Sequence, residues 1–119
     1  MTYRANDVVV VLVTVPSLEV GERIAAAIVP EHLAACVNIL PGLRSIFSWE
    51  GRLEDEREVL LLIKTRADRL APLEARIRAM HPYTVPEFIA LPVVAGHQPY
   101  LAWVSDSVTA KGGGKSDQE

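Results

Sequence analysis

The sequence predicts an α+β domain, and three observations carry this prediction: the size and composition of the chain, the alternation of strand-like runs with helical repeats, and their order. The chain has 119 residues, of which 50% are hydrophobic and 23% are charged, as is typical of one globular domain. A compact protein of this size buries roughly two-thirds of the surface of its unfolded chain. We therefore expect a hydrophobic core without disulfides, since the single cysteine allows none within the chain.

The first strand and the first helix follow from local composition. Val8 to Val15 is an apolar run rich in Val, which favours a strand buried on both faces. Ser17 then provides a hydroxyl suited to a helix N-cap. An apolar stripe repeats every four residues beyond it, and Pro30 ends the predicted helix.

Two further strands are predicted to form a hairpin. A β-rich segment runs from Leu33 to Trp49 and is interrupted by Pro41-Gly42, which predicts a bulge or kink, or else two shorter segments. Gly51 begins a polar turn that we expect to extend through Glu56, and Val59 to Ile63 is the third strand. Because the segments on either side of Gly51 are consecutive, a β-hairpin is expected.

A second helix, a fourth strand and a last helix complete the pattern. Thr65-x-x-Asp68 fits a capping box with Asp in place of Glu or Gln. Because Pro72 lies late for that cap, the second helix is expected either to begin there, to begin nearer Asp68, or to be kinked. Pro92 lies within the fourth strand, Phe88 to Val94, which we therefore place at a sheet edge or on a bulge. A last helix is predicted from Tyr100 to Val108.

The order β-α-β-β-α-β with an extra C-terminal helix predicts the ferredoxin-like arrangement, an antiparallel sheet with both main helices on one face. We assign residues 1–108 to this single domain. Residues 109–119 contain three consecutive glycines and are predicted to be a flexible tail. The other face of the sheet then has no cover within the chain except the last helix.

The lengths of the predicted elements favour assembly of several copies. The first strand spans ~27 Å, whereas a hairpin arm of up to ~15 residues spans ~50 Å at the usual rise per residue. The hairpin then overhangs its own domain, and its tip carries Ile46, Phe47 and Trp49. Pairing with other copies would cover these side chains and the open strand edges. Alternatively, Pro41-Gly42 breaks the strand and the tip folds back on its own domain.

Charge and motif content exclude several functional classes. The net charge is −3 and no basic run is present, so we expect no nucleic-acid partner. No apolar stretch approaches the ~20 residues of a membrane helix, and no signal peptide is recognised, so we expect a cytoplasmic protein without a membrane partner. The sequence contains no nucleotide-binding loop, zinc-protease or serine-hydrolase motif, which favours a protein that is not an enzyme.

The stretch from His81 to Glu87 is the most unusual in the sequence. Two prolines stiffen it and place an imidazole, the Tyr83 phenol and a carboxylate on one loop. His81 and Glu87 are candidate ligands for zinc or copper, although His81 could equally cap the preceding helix. Cys36 is either a thiolate ligand or a small buried side chain among alanines.

Other charged and aromatic residues are candidates for a cleft between copies. Glu58 and Lys64 flank the third strand, where they form a charged pair, contact an anion or are simply solvated. Two aromatic pairs either wall a ligand cleft or serve packing. These pairs are Phe47 with Trp49 and Tyr100 with Trp103.

Six stretches of the sequence resemble the CutA family of divalent-ion tolerance proteins: VLVTVP, LAACVNILPG, SIFSWEG, EVLLLIKTRADRL, HPYTVPEFIALPV and YLAW. The resemblance extends from about Val8 to Val108. It implies a ferredoxin-like subunit similar to the PII signalling proteins and assembled as a tight homotrimer. It also implies a link to copper and other divalent ions.

The resemblance also implies site residues. The metal-associated positions are Cys36, His81 and Glu87. The cleft positions are Trp49, Glu58, Lys64, Tyr83, Tyr100 and Trp103. Two positions depart from the family. Val13 stands where some relatives have a second cysteine, which makes a thiolate-rich copper site poorer here. Phe47 stands where many relatives have Tyr, so a phenolic hydroxyl is lost there.

The predicted function is that of a homotrimer that binds a divalent cation, copper or zinc, in metal tolerance, with an unidentified protein as a further partner. The alternative is a PII-like regulator that binds a small ligand in the cleft between subunits.

Overall fold

The computed structural model describes residues 3–109. Its elements are β1 (Val8–Val15), α1 (Leu18–Ile28), β2 (Cys36–Trp49), β3 (Arg52–Arg66), α2 (Leu70–Met80), β4 (Ile89–Pro92) and α3 (Gln98–Ser107), with a 3₁₀ turn at Ala67–Arg69. The four strands form one antiparallel sheet in the order β2-β3-β1-β4. This order confirms the predicted ferredoxin-like arrangement with an extra C-terminal helix. The predicted tail lies outside the described residues except for Thr109.

The first strand and the cap of the first helix agree with the prediction. β1 pairs with β3 along its whole length, from Val8 opposite Arg66 to Val15 opposite Val59. The Ser17 hydroxyl accepts a hydrogen bond of 3.2 Å from a backbone N–H in the first turn of α1, which fixes where that helix begins. Among residues 3–109, no helix is long and apolar enough to cross a membrane.

The hairpin turn is shorter than predicted. Trp49 already pairs with Arg52, so the turn consists of Glu50-Gly51, and the prediction of a polar turn extending to Glu56 is wrong. The backbone of this segment pairs with β2 while its charged side chains remain in water. Charged residues on a solvent-exposed strand therefore look like a turn in the sequence.

Pro41-Gly42 forms a bulge within one continuous strand. The register of β2 against β3 shifts between Leu40 and Leu43. Gly42 has a φ of 85°, a left-handed conformation that glycine adopts without steric cost. The strand continues beyond the bulge, so the hairpin does not fold back at this point.

The capping box predicted at Thr65 is not formed. Thr65 is fully buried in β3, where its hydroxyl donates a hydrogen bond of 2.7 Å to the carbonyl oxygen of Leu33. α2 begins at Leu70, after the 3₁₀ turn and without a side-chain cap. Pro72 lies in the first turn of α2, where a backbone N–H has no partner to lose.

The two faces of the sheet differ in their cover. We call the face under α1 and α2 the covered face; its fully or almost fully buried residues are Val9, Val11, Val13, Val15, Val59, Leu61 and Ile63. On the opposite side, the outer face, Ile89 and Leu91 are 50% and 47% exposed. α3 covers one end of the outer face, where Val104 and Val108 pack near Val8. Within residues 3–109, the rest of the outer face has no covering helix.

The hairpin overhangs the rest of the sheet. β1 ends at Val15 opposite Val59, and residues 43–58 pair only with each other. Arg44 lies diagonally across this distal part from Asp55, and the two form a two-pronged ion pair of 2.9 and 2.7 Å. Trp49 and Leu53 at its end are 51% and 78% exposed. The predicted overhang with an apolar tip is therefore present.

Candidate functional site

The loop that follows α2 contacts the sheet through a chain of hydrogen bonds that begins at His81. This residue is 7% exposed. Its Nε2 lies 2.7 Å from the carbonyl oxygen of Thr14, and its Nδ1 lies 3.1 Å from the backbone nitrogen of Tyr83. A carbonyl oxygen only accepts and a backbone N–H only donates. His81 is therefore held as the neutral tautomer with its proton on Nε2.

Tyr83 extends the chain of hydrogen bonds to Glu58. The Tyr83 hydroxyl donates a hydrogen bond of 2.8 Å to Oε2 of Glu58, and its ring centroid lies 4.7 Å from that of His81. Glu58 is 8% exposed. Burial, the bond to Glu58 and the charges of Glu58 and Glu56 raise the pKa of Tyr83 to about 12. The phenol therefore remains protonated, and a donor to Glu58, at neutral pH.

Glu87 adds a second carboxyl beside this chain of hydrogen bonds. The residue as a whole is exposed, yet partial burial of its carboxyl and, after that, the negative charge of Glu58 raise its pKa. We call these two carboxyls, Glu58 and Glu87, the acidic end of the sheet. Such an arrangement attracts cations and repels anions.

Cys36 lies far from this acidic end. It begins β2 opposite Lys64, which lies opposite Val10, whereas His81 contacts Thr14. Val10 and Thr14 are four residues apart on β1, which corresponds to ~13 Å along the strand. Cys36 and His81 therefore do not meet within one chain.

The three predicted metal ligands are not brought together in a single copy. Among residues 3–109, no group of three or more His, Cys, Asp or Glu side chains is arranged to hold a metal ion. Cys36, His81 and Glu87 thus do not form a site within one chain. Their use in a site shared between chains stays a prediction.

The predicted cleft residues also lie in separate places. Lys64 is six residues from Glu58 on β3, or ~20 Å along the strand, so the two do not form a charged pair in one chain. The Lys64 ammonium instead donates a hydrogen bond to the side-chain oxygen of Asn38. Trp49 pairs with Arg52, which is six residues from Glu58 on β3, on the side away from Lys64. Trp49 therefore lies apart from both.

The aromatic residues of α3 form a third group. The ring centroids of Tyr100 and Trp103 are 5.6 Å apart, and both side chains are partly exposed. α3 is attached to β3 through Arg66, whose guanidinium donates a hydrogen bond of 2.9 Å to the Ser105 hydroxyl. Of the six cleft residues, the contacts seen among residues 3–109 join Glu58 with Tyr83 and Tyr100 with Trp103.

Sequence reasoning missed two partners of the site residues. Thr14 contributes a backbone carbonyl, which any residue supplies, so the sequence holds no signal for it. Asn38 is two residues from Cys36 on the same side of β2, diagonally opposite Lys64. The predicted hairpin register would have identified it as a cross-strand neighbour.

A surface cavity lies elsewhere on the molecule. It has a volume of about 420 Å³ and lies between the start of β1 and α3, with Asp7, Val93, Gln98 and Leu101 in its wall. The predicted metal and cleft residues do not line it. Its polar wall therefore gives no support to the predicted site.

Comparisons with known proteins indicate one family. The family model described as CutA1 divalent ion tolerance protein matches residues 9–107. The divalent-cation tolerance protein CutA of Thermus thermophilus is 52% identical over 98 residues, which cover 82% of this chain and 95% of that protein. The chloroplastic protein CutA of Arabidopsis thaliana is 50% identical over 99 residues, which cover 83% of this chain. The match spans 54% of the plant protein, about half its length.

Solved structures agree with these sequence matches. The divalent cation tolerance protein Cut A1 of Thermus thermophilus superposes with a TM-score of 0.84 at 50% identity, covering 86% of this chain and 99% of that one. The periplasmic divalent cation tolerance protein CutA of Archaeoglobus fulgidus gives a TM-score of 0.83 at 39% identity, with coverages of 86% and 99%.

Proposed function

The chain belongs to the CutA1 divalent ion tolerance family, and on this basis we propose that it binds divalent cations in a cellular response to them. The observation that carries the proposal is the family match, which spans nearly all described residues. The acidic end formed by Glu58 and Glu87 adds physical support, because carboxylates attract cations. The proposed role is binding, without a catalysed reaction.

We further propose that the working unit is a trimer of this chain. The outer face leaves Ile89 and Leu91 half exposed, and the hairpin tip leaves Trp49 half exposed. Large apolar patches of this kind mark surfaces that another protein covers. A second and third copy would cover the outer face and give the overhanging hairpin strand edges to pair with.

Assembly would also change which donors can share a cation. Cys36 and Glu87 lie at different ends of the sheet in one subunit, so only a site built from more than one copy could use both. Cys36 supplies a soft ligand and Glu87 a hard one, a mixture that favours copper or zinc over magnesium. Both nitrogens of His81 already have partners, so His81 would have to lose a hydrogen bond in order to ligate.

Calorimetric titration tests the proposal most directly. Zinc and copper, added separately, should each give a saturable signal that a chelator reverses. Glu87→Gln should weaken binding, whereas Glu19→Gln, which alters an exposed carboxylate on α1, should not. If neither metal binds the parent protein, zinc and copper binding are excluded as its function.

Light scattering tests the trimer independently. The expected mass is about three times the 13.0 kDa of one chain. A protein that stays monomeric at micromolar concentration would contradict the trimer and every site shared between copies.

A second candidate function is PII-like regulation by a small ligand bound between subunits. It is favoured by the positions of Trp49, Glu58 and Lys64, which follow one another at intervals of ~20 Å along one hairpin and could face one another only across copies. This candidate predicts that nucleotides or small anions raise the melting temperature. It also predicts that protein treated with a chelator binds them equally well. Zinc-dependent stabilisation alone would favour the first function.

We propose a cytoplasmic location on the basis of the sequence prediction. The names of the relatives include chloroplastic and periplasmic proteins, so location varies within the family. Fractionation of cells that express the protein from its own promoter would decide the location.

A further inference from the structure

We propose that His81 is a positioning residue: it fixes the loop that carries Tyr83 and Glu87 against the sheet and is not itself a metal donor. The part of this proposal that concerns metal rests on the proposed cation-binding function. The part that concerns the loop rests on geometry alone.

The ring of His81 has no free lone pair to offer a cation. In the tautomer described above, only Nδ1 carries a lone pair, and it accepts the N–H of Tyr83 at 3.1 Å. Nε2 carries the proton and donates it to Thr14 at 2.7 Å. Ligation at either nitrogen would leave a backbone group of Tyr83 or Thr14 without its partner. Such a loss is unfavourable when the group is buried.

Burial adds a second obstacle to ligation. His81 is 7% exposed, so a hydrated cation could reach the ring only if the loop moved. Glu87, in contrast, is exposed. The cation-accessible donor of this loop is therefore the Glu87 carboxylate, whereas the imidazole is buried.

The local sequence explains why histidine suits this position. Pro82 has no backbone N–H, so the N–H of Tyr83 is the first donor available after His81. Nδ1 accepts that N–H two residues ahead and closes a turn in the way that Asn and Asp side chains do. The other ring nitrogen ties the same turn to the end of β1. One side chain thus joins the loop to itself and to the sheet.

The position of Tyr83 follows from this turn. Its ring lies against that of His81 with centroids 4.7 Å apart, and its hydroxyl reaches Glu58 at 2.8 Å. Loss of the His81 hydrogen bonds should release Tyr83, and Glu58 would then lose a buried donor. The effect of His81 on a cation is expected to pass through Glu58 and Glu87.

Two substitutions separate positioning from ligation. His81→Gln keeps one donor and one acceptor on a planar group, whereas His81→Phe keeps a planar ring and removes both hydrogen bonds. We expect His81→Gln to bind zinc within about threefold of the parent. We expect His81→Phe to bind zinc about tenfold more weakly or worse, as is usual when a group that orients ligands is lost.

The decisive measurement is nitrogen NMR of the full protein with ¹⁵N-labelled histidine, with and without zinc. His32 and His97 serve as internal references, since the chain has three histidines. We expect His81 to show one protonated and one unprotonated nitrogen whose signals do not move when zinc is added. A saturable shift of either His81 nitrogen, or loss of zinc binding in His81→Gln equal to that in His81→Phe, would overturn the proposal.

The proposal remains decidable if the proposed function fails. If zinc does not bind the parent, the Tyr83 amide still reports on the loop: its hydrogen exchange should be slow in the parent and in His81→Gln, and fast in His81→Phe. Equal exchange rates in the three proteins would exclude a positioning role. If His81→Phe does not fold, the exchange rate of the Tyr83 amide in His81→Gln and the two nitrogen signals of the parent still decide.

Discussion

The covered and outer faces of the sheet are built by the same strands from similar residues, yet one chain buries only the first. Leu61 and Leu62 show the contrast in its simplest form. Leu61 is fully buried beneath the helices, whereas its neighbour Leu62 points to the other side and is only partly covered. The apolar run of β1 is typical of a strand buried on both faces. The difference teaches that the composition of these strands matches more cover than one chain provides, and the proposed trimer would supply that cover.

Polar residues sharpen the contrast between the faces. The covered face holds Thr65, whose hydroxyl has a partner within the same chain. On the outer side, Thr14 and Glu58 are buried only where the loop after α2 lies over them. The loop after α2 covers only a small part of the outer side, and that part is the candidate site.

The largest expected effect is loss of assembly when a charge is placed on the outer face. Ile89→Asp should convert trimers to monomers, because burying an unpaired carboxylate between copies costs several kcal/mol. Light scattering should show a fall in mass to that of one chain. Val94→Asp is the control, since Val94 is 94% exposed and lies beyond β4. An unchanged mass for Ile89→Asp would show that the outer face remains open to water.

The next effect compares the two leucines directly. Leu61→Ala should lower the free energy of unfolding by about 3 kcal/mol, since it leaves a cavity in a closely packed core. Leu62→Ala should cost less than half as much at low protein concentration, and more as concentration and assembly increase. Urea denaturation at several concentrations measures both. Equal costs at all concentrations would remove the distinction between the faces.

A smaller effect is expected for the buried hydroxyl of the covered face. Thr65→Val keeps the shape of the side chain but leaves the Leu33 carbonyl oxygen without its donor. The free energy of unfolding should fall by about 1.5 kcal/mol, again measured in urea. Thr109→Val, at an exposed position, should change it by no more than about 0.5 kcal/mol.

The smallest effect is a change in the pKa of Tyr83 when Glu58, the buried carboxylate on the outer side, loses its charge. The negative charge of Glu58 contributes to the raised pKa of Tyr83, after burial and their hydrogen bond. Glu58→Gln should therefore lower this pKa from about 12, though not to 10.0, the ordinary value, because burial remains. The phenolate absorbance of each protein, minus that of its Tyr83→Phe counterpart, isolates this titration. An unchanged midpoint would mean that burial alone sets it.

The free energy of unfolding should fall as pH rises through the titration of Tyr83. A tyrosine whose folded pKa is raised gives stability that is fully present below pH 10.0 and is lost as pH rises towards about 12. Glu58→Gln should reduce that alkaline loss. Urea midpoints measured across this window check the sign.

Much of the fold could be predicted because it depends on local patterns. The Ser17 cap, the apolar run of β1 and the bulge at Pro41-Gly42 are each specified by a few neighbouring residues. Thr65 shows the limit: its local pattern fits a helix cap, but its hydroxyl finds an acceptor in Leu33, which lies far away in sequence. Tertiary contacts overrode the local preference there.

The candidate site was harder to predict than the fold. The types of the residues suggested chemistry, but their distances depend on strand register, which composition does not give. Cys36 and His81 both have donor atoms suited to copper, yet the sheet separates them by several residues along its strands. The contact of His81 with Thr14 runs through a backbone carbonyl, for which no residue type gives a signal.

The bulge at Pro41-Gly42 adds one residue to β2 and so changes which residue numbers of that strand lie on the outer side. Before the bulge, even-numbered residues of β2 such as Leu40 lie on the outer side, next to even-numbered residues of β3. Beyond the bulge, odd-numbered residues of β2 lie on the outer side, as shown by Phe47, which is opposite Glu54. Deleting Gly42 would restore simple alternation with Leu43 still opposite Glu58 and Phe47 still opposite Glu54, so Phe47 and Trp49 would stay on the outer side. Pairing with β3, and not the number of residues in β2, thus sets which side chains the distal hairpin presents, and the bulge absorbs the extra residue without any change in the core.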